Sequence, residues 1–528
     1  MKRLLMSAAM FLCCVATSFA QFSGSGSGTQ NDPYLILNPI QLNQMRNFLN
    51  QGGVYFKMMA DIDLTEFLED ENPEQGWQPV GNSSSAAFKG ILDGNGKTIS
   101  GLWIQRSSTD YVGFYGYLDG ATITDLTIKA STVKGQSSVG VFSGYSINTT
   151  IQNVSIAAST IDGVNNVGGV SGHSHASTIN GCTFTGIVKG ASVIGGFIGG
   201  AGANVTLSNN TANVSVMGTG NSIGGFIGRN DAGGKLTVSG CTLNGGIISG
   251  VNHVGGCCGE NIGSHSNGNS ISNTFIHANI SGAENVGGLC GVSESNRHTI
   301  NLMNCGFVGD IVGSSNVGGL IGKIKNTADV MDVIVEVVQK CFSIGSISAT
   351  GNYVGGLIGY DSGNWYLYLK YLHYTNLSDN YHSGPVVGAS YVGGLVGYKK
   401  YGETTNCYAI GSVAGARYVG GLLGYQEDST TLKKSVAINT RVTATTGDVN
   451  RLVGYNAGTI GGMGSLDENK SYNRTIVISQ GVAQDITDNN MNGTGVSATT
   501  LKLKATYVAM GWTLPTPGRY KRRNAIPT

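Results

Sequence analysis

The chain has 528 residues, a formal net charge of +1 and only 12% charged side chains, about half the usual share. That balance supplies no field to steer it to nucleic acid or to an anionic membrane surface. Its 83 glycines lack the third-residue period of collagen, and the abundance of aliphatic and β-branched residues excludes a disordered linker.

Residues 1–20, MKRLLMSAAMFLCCVATSFA, read as a signal peptide with a basic start, an apolar middle and a small-residue end. Ser18 and Ala20 fit the −3 and −1 positions for cleavage before Gln21. Cys13 and Cys14 raise a lipid anchor as the alternative. Met10-Phe11-Leu12 lack the small residue such a site needs, so soluble export is favoured. The expected location is extracellular or the outer cell surface, with the periplasm as the other destination. No later apolar run reaches ~18 residues, so no membrane-spanning helix is expected in the mature chain.

Residues 21–80 are expected to form a small α/β N-terminal cap. Asn38 is a fitting N-cap, Pro39 a first helical residue, and Gly52 a stop just past the end. Ile40, Leu42, Met45, Phe48 and Leu49 approximate an apolar stripe. Such a helix would close the first coil and keep strand edges covered.

From 81 to 465 the text repeats. YVGGLIGY at 353–360 returns as YVGGLVGY at 391–398 and YVGGLLGY at 418–425. The closing glycines are Gly116, Gly144, Gly172, Gly199, Gly228, Gly259, Gly291, Gly322, Gly359, Gly397, Gly424 and Gly454. Their spacing runs from 27 residues (Gly172 to Gly199) to 38 (Gly359 to Gly397). The first copy, VGFYG, is one glycine short, and the last is degenerate, as the ends of a capped array should be. Between anchors stand alternating runs such as INGCTFTGIV, VSGCTLNGGI and TNCYAIGSV, a strand signature with turn punctuation. Each repeat has room for two or three short strands and none for a helix. One repeat cannot bury its apolar face alone, but stacked coils can. The expected fold is therefore all-β: a parallel β-helix (β-solenoid) of about twelve coils, a rod of about 55–60 Å at ~4.8 Å per coil.

Two long coils carry insertions, VMDVIVEVV at 330–338 and WYLYLKYLHY at 365–374, expected to be extra strands pairing as a protruding flap. Residues 466–528 are expected to be a C-terminal capping segment and tail, with LKLKATYVAMGWTL contributing to the far end and RYKRR a solvated basic terminus.

The Gly-Leu-x-Gly runs at Gly288–Gly291, Gly319–Gly322, Gly356–Gly359, Gly394–Gly397 and Gly421–Gly424 resemble the GLUG motif. Phe, Val or Cys replaces Leu at Gly196–Gly199, Gly225–Gly228, Gly169–Gly172 and Gly256–Gly259. The resemblance covers roughly residues 110–455, and SGSGTQNDPYLILNPIQLNQMRNFLN is similar to the N-terminal parts of such proteins. It implies a large secreted bacterial surface protein of adhesin-like kind. Some immunoglobulin-A peptidases also carry the motif, but their chemistry lies in a separate H-E-x-x-H zinc domain. This chain has no His-Glu pair, so that activity does not carry over.

Several motifs are weighed for chemistry. GILDGNGKT at 90–98 has the wrong spacing for a phosphate loop and reads as a strand turn. His173 and His175 could share one side of an extended segment, but no third ligand stands at a metal-site spacing, so they read as exposed turn residues. No metal site and no cofactor is assigned. Cys182, Cys241, Cys305, Cys341 and Cys407 stand 17 or 18 residues before a closing glycine and share one structural position. In-register stacking sets Cys258 beside Cys290 and Cys305 beside Cys341, within disulfide reach; the alternative is a ladder of buried thiols. Asp61, Asp63 and Asp93 do not form an acid cluster with a basic partner, and no G-x-S-x-G appears. No catalytic residue is assigned.

The strongest functional lead is aromatic. Tyr353, Tyr391 and Tyr418 precede the phrase, while Tyr360, Tyr398, Tyr425 and Tyr455 follow it. Stacking would make two exposed ladders, able to bind sugar rings or a protein partner or simply packing on each other. Trp365, Tyr366, Tyr368, Tyr371 and Tyr374 of the insertion form the first-choice contact strand. The leading expectation is a non-enzymatic secreted or surface β-solenoid binding extracellular glycan or glycoprotein. The alternatives are a polysaccharide lyase or hydrolase on a β-helix, and a structural spacer. Nothing in the residues fixes the oligomeric state.

Overall fold

A computed structural model describes residues 21–231, 234–263, 268–295, 300–326, 334–366, 371–457 and 465–512. Residues 1–20, the tail RYKRR and Tyr368 lie outside them. The chain is a parallel β-solenoid of about eleven turns, preceded by a short helical region.

One coil sets the pattern: strands Asn165–Gly168, Ser171–His175, Thr178–Asn180 and Thr183–Gly190. Each pairs in parallel with its counterpart in the coils before and after. Four strands form where two or three were expected, because the V-G-G-x-x-G phrase is itself a turn with a strand on either side. The first strands make a separate eleven-stranded sheet. The glycine-short first copy pairs with it through the isolated bridge Val112–Val139 and adds no full strand, which is why eleven rungs stand for twelve phrases.

The glycines of one phrase answer three different neighbours. A Cβ on Gly195 would lie 2.0 Å from Ile198 O in its own turn, and one on Gly196 2.0 Å from Gly225 O in the next coil. A Cβ on Gly199 would lie 2.5 Å from the backbone of Asn166 and Val167 in the coil before. That last contact faces a bulge. Asn166 and its counterparts Val193, Ser222, His253, Asn285, Asn316, Tyr353, Tyr391 and Tyr418 all have φ between 51° and 65°, a left-handed conformation uncommon outside glycine. Register skips this residue, pairing Asn165 with Ser192 and Val167 with Ile194. The apolar residues of the phrase fill the axis: Val167, Ile194, Phe197, Phe226, Leu320, Leu357 and Leu422 are all fully buried.

A second left-handed corner separates the third and fourth strands, at Asn153, Gly181, Asn209, Gly240, Asn304, Lys340 and Asn406 among others. The next residue points inward, and here the five equivalent cysteines stand. Each thiol donates to the carbonyl two residues earlier, as Cys182 to Asn180 O (3.4 Å) and Cys407 to Thr405 O (3.2 Å). Ser435 and Thr274 use hydroxyls in the same way. Asn210 bridges further: its Oδ1 accepts from Cys182 N (2.8 Å) and its Nδ2 donates to Ile179 O (2.9 Å) of the coil below. The row is thus a hydrogen-bonded corner post. Cys258 and Cys290 are register partners, and Cys305 N donates to Cys341 Sγ at 3.4 Å. All eight cysteines among the described residues are buried free thiols.

At the N-terminal end, Tyr34–Ile36, Tyr55–Met58 and Ile91–Gln105 stack in parallel onto Thr122–Lys134. Asn38 Oδ1 caps Gln41 N at 3.0 Å, and Pro39–Asn43 is α-helical, but Gln44–Phe48 tightens to a 3₁₀ turn. Three residues per turn align Leu42, Met45 and Phe48 inward and leave Ile40 59% exposed. The helix ends at Phe48, ahead of the expected Gly52, and a left-handed Asn50 follows. A second short helix, Thr65–Glu71, precedes the rod.

Within the C-terminal segment, the described part of the LKLKATYVAMGWTL stretch lies on the flank of the last coils. Helices Ala498–Leu501 and Lys504–Ala509 pack on the flank, where Leu501, Tyr507 and Met510 meet Val436, Tyr408 and Tyr472. Trp512 Nε1 donates to Lys434 O at 2.8 Å. The 484–493 loop of the same segment covers the last coil, with Leu452 N and Val453 N donating to Met491 O and Arg451 Nη2 to Asp488 Oδ1 (2.7 Å). No helix among the described residues is long and apolar enough to cross a membrane.

Candidate functional site

The residue following each closing glycine points outward at the start of the second strand. Register stacks these residues into one row along the rod: Tyr117, Tyr145, His173, Gly200, Arg229 and Glu260 in the early coils, then Val292, Lys323, Tyr360, Tyr398, Tyr425 and Tyr455. The left-handed bulge residues stand beside this row. One outer face is therefore aromatic at both ends and charged between.

At the C-terminal end the two expected ladders merge. Tyr360, Tyr398, Tyr425 and Tyr455 stack at 5.0–5.3 Å, and Tyr353, Tyr391 and Tyr418 at 4.8 and 4.9 Å. The rows also meet edge to face, as Tyr353 with Tyr360 (4.9 Å) and Tyr418 with Tyr425 (5.4 Å). Most rings are half-buried, their faces against neighbours and their edges outward; Tyr455, closing the row, is 39% exposed. They are less exposed than two separate ladders would be, because the outward φ of the bulge turns one row against the other.

Cations dress this patch. The Arg417 guanidinium lies 4.3 Å over the Tyr418 ring and the Lys323 ammonium 5.5 Å from that of Tyr360, favourable placements against the ring face. Tyr398 donates its hydroxyl to Glu427. Burial raises the Tyr360, Tyr391 and Tyr425 phenols above their ordinary range, so they stay neutral hydrogen-bonding groups. Beyond Arg417 a polar cleft of about 850 Å³ opens, lined by Thr446, Asp448, Asn450, Gln480, Gln484 and Asp485 among others.

The N-terminal tyrosines were missed, although their signal is the same. Tyr117 and Tyr145 follow Gly116 and Gly144 as Tyr360 follows Gly359. They stack at 4.8 Å, and Tyr145 stacks in turn on His173 at 4.9 Å. His173 and His175 sit on a strand and not in an exposed turn. The His173 ring leans across Gly200, where a Cβ would lie 2.6 Å from it, and brings Nε2 to 3.5 Å from Asp231 Oδ2. His175 Nδ1 accepts from Ala203 N. No group of three metal ligands occurs among the described residues.

The centre of the row is a charged cluster that the sequence did not bring together. Arg229 Nε donates to Asp231 Oδ1 at 2.6 Å. Ser222 Oγ donates to Glu260 Oε2 at 3.0 Å, and His253 Nδ1 lies 3.6 Å from the same oxygen. Burial pushes the Asp231 carboxyl up, but His173 and Arg229 outweigh it and hold it below the ordinary range. The facing His253 imidazole, against burial and helped by Ser222 and Arg229, lowers Glu260 as well. Both carboxylates are ionised at neutral pH, so neither is poised as the general acid that glycoside cleavage needs.

The insertion strands are partly the rod itself. Ile334–Gln339 pairs with Ile300–Met303 through Val337–Gln339, and with Tyr371–Ser378 of the next coil. Asn364–Tyr366 pairs antiparallel with Tyr371–His373, a hairpin that includes Trp365, Tyr366 and Tyr371. Tyr374 is half-buried on the same strand.

No family model matches the chain. A 120-residue stretch, 21% of the chain, is 33% identical to a protein of Evansella cellulosilytica provisionally named a Gly-rich membrane protein, covering 13% of it. A 117-residue stretch, 22% of the chain, is 35% identical to halomucin of Haloquadratum walsbyi, covering 1% of it. The chain thus matches a small part of these curated relatives. A solved structure from Bacteroides ovatus, provisionally assigned as an immunoglobulin A1 protease, aligns over 93% of this chain and 90% of its own, at 16% identity and a TM-score of 0.23.

Proposed function

We propose that this is a secreted or cell-surface β-solenoid that binds glycan or glycoprotein ligands along its tyrosine-bearing face. The observation that carries this reading is the merged patch of seven tyrosines, flanked by Arg417 and Lys323 and ending at the polar cleft. Tyrosine edges, hydroxyls and one more open terminal ring offer an amphipathic surface at low cost in side-chain entropy. Amide, hydroxyl and carboxylate groups in the adjoining cleft suit the hydroxyls of a sugar. The reading of residues 1–20 as a signal peptide supports export. The partial identity with proteins named for a membrane and for a mucin supports a surface location.

The test is retention of the purified protein on an array of glycans and glycoproteins, repeated with Tyr418→Ala and Tyr455→Ala together. Retention lost in the double variant supports the reading, and no retention of the parent protein removes it. A second reading, a lyase acting on polysaccharide, draws on the Asp231–Glu260 cluster, whose ionised carboxylates suit proton abstraction as general bases. It predicts release of new unsaturated ends from polysaccharides, abolished in Glu260→Gln.

A further inference from the structure

The rod has an internal polar row as well as its apolar axis. Where the second strand bends toward the third, register stacks the inward residues Ser174, Asn230, Asn261 and Ser293 at intervals, all buried. In two later adjacent coils the same position holds Asp361 and Lys399, which are direct register partners. Both side chains are 0% exposed, with Lys399 Nζ 3.0 Å from Asp361 Oδ2. Lys399 Nζ also donates to Thr375 O at 2.8 Å, and Thr375 Oγ1 donates to Asp361 Oδ1 at 3.2 Å. One coil earlier, at the register position of Thr375, stands a third ionisable group, the 2% exposed Glu336.

A lysine and an aspartate sealed together pay a desolvation cost of several kcal/mol per ion. Transfer of one proton from the ammonium to the carboxylate removes both charges and leaves a neutral amine against a carboxylic acid. Each is fixed by the strands it stands on, so the encounter that limits such a reaction in solution is already made. Thr375 holds the other carboxyl oxygen and polarises the carbon between them.

We propose that Lys399 and Asp361 form an intramolecular isopeptide bond linking adjacent coils of the rod. Lys399 Nζ, having given its proton to Asp361 Oδ2, attacks Asp361 Cγ and forms the C–N bond. A second nitrogen proton passes to the departing oxygen, the C–O bond breaks, and one water leaves. Glu336 relays that proton and returns to its starting state. The balance is amine plus acid giving amide plus water, with no oxidant, nucleotide or metal. Water exclusion protects the product, and the new amide spans the coils that flank the insertions.

The test is mass spectrometry of the purified full chain, denatured and reduced, followed by proteolysis. The linked chain is lighter by one water, about 18 Da, and yields one branched peptide containing both Asp361 and Lys399. Lys399→Arg restores the sequence mass, and Glu336→Gln leaves most chains unlinked. Recovery of the Asp361 and Lys399 peptides as separate species in full yield from the parent protein overturns the proposal. Complete linkage in Glu336→Gln overturns the role given to Glu336.

Discussion

The closing glycine of each phrase should resist replacement because its neighbours are backbone, and Gly322→Ala tests this. A Cβ there would lie 2.5 Å from Val286 N, and 2.7 Å from both Asn285 C and Gly291 O, all backbone of the preceding coil. Relief to an ordinary 3.4 Å contact requires the coils to part locally by 0.9 Å. The Asn316 Nδ2 to Asn285 Oδ1 bond of 2.9 Å crosses that gap and stretches with it. Overpacking of about 1–3 kcal/mol, with one or two weakened hydrogen bonds of about 1 kcal/mol each, gives a loss of about 2–5 kcal/mol. Gly52→Ala is the control, because a Cβ there meets nothing within 4 Å and its φ is not left-handed. It should be neutral or stabilise by up to ~1 kcal/mol. Urea midpoints compare the two variants, and hydrogen exchange shows whether the loss centres on the coils holding Val286 and Gly322. Equal midpoints for the two variants would refute the packing argument.

Buried His382 sits between Ser343 Oγ and Gly384 O, and burial pulls its pKa from 6.5 to about 4. The unfolded chain binds this proton before the folded one does, so stability should fall as pH drops from 6.5 to 4, by up to about 3 kcal/mol; His382→Phe should flatten that part of the curve. Burial pushes the Cys241 thiol to about 11 and those of Cys182 and Cys407 to about 12. Native protein should therefore resist alkylation at these positions, while all eight described cysteines should alkylate after denaturation without reductant; fewer would reveal a disulfide. Tyr398→Ala removes stacking on Tyr360 and Tyr425 and should cost about 1–3 kcal/mol, whereas Tyr398→Phe should cost less than about 1.5 kcal/mol, compared by thermal melting. Trp512→Ala should release the C-terminal helices from Tyr408 and Lys434, read as faster proteolysis beyond Val496.

The rod was legible because stacking forces each coil to repeat its neighbour, and the closing glycines recur at a spacing the eye can follow. What that spacing did not reveal was local geometry. The phrase looks like one strand, but Gly195 crowded by Ile198 O makes it a turn. The helical stripe shifted because Gln44–Phe48 took a 3₁₀ turn, which a heptad-like pattern does not signal. At the site, the later tyrosines were legible from their fixed offset to Gly359, Gly397 and Gly424. The same offset also marks Tyr117, Tyr145, His173, Arg229 and Glu260, and their different chemistry concealed the common row. Asp231 and His173 come together only because Gly200 leaves room for the imidazole between their coils. Asp361 and Lys399 were hidden in sequence by the long insertion that separates them.

Ligand binding by the tyrosine face is the claim on which the functional account depends. Its most direct measurement is glycan and glycoprotein array binding by the full chain beside the Tyr418→Ala/Tyr455→Ala variant, with thermal melting of both. The account predicts retention of the parent protein on at least one glycan class and at least a tenfold loss in a variant that still folds. No retention of the parent, or equal retention by the folded variant, would contradict it.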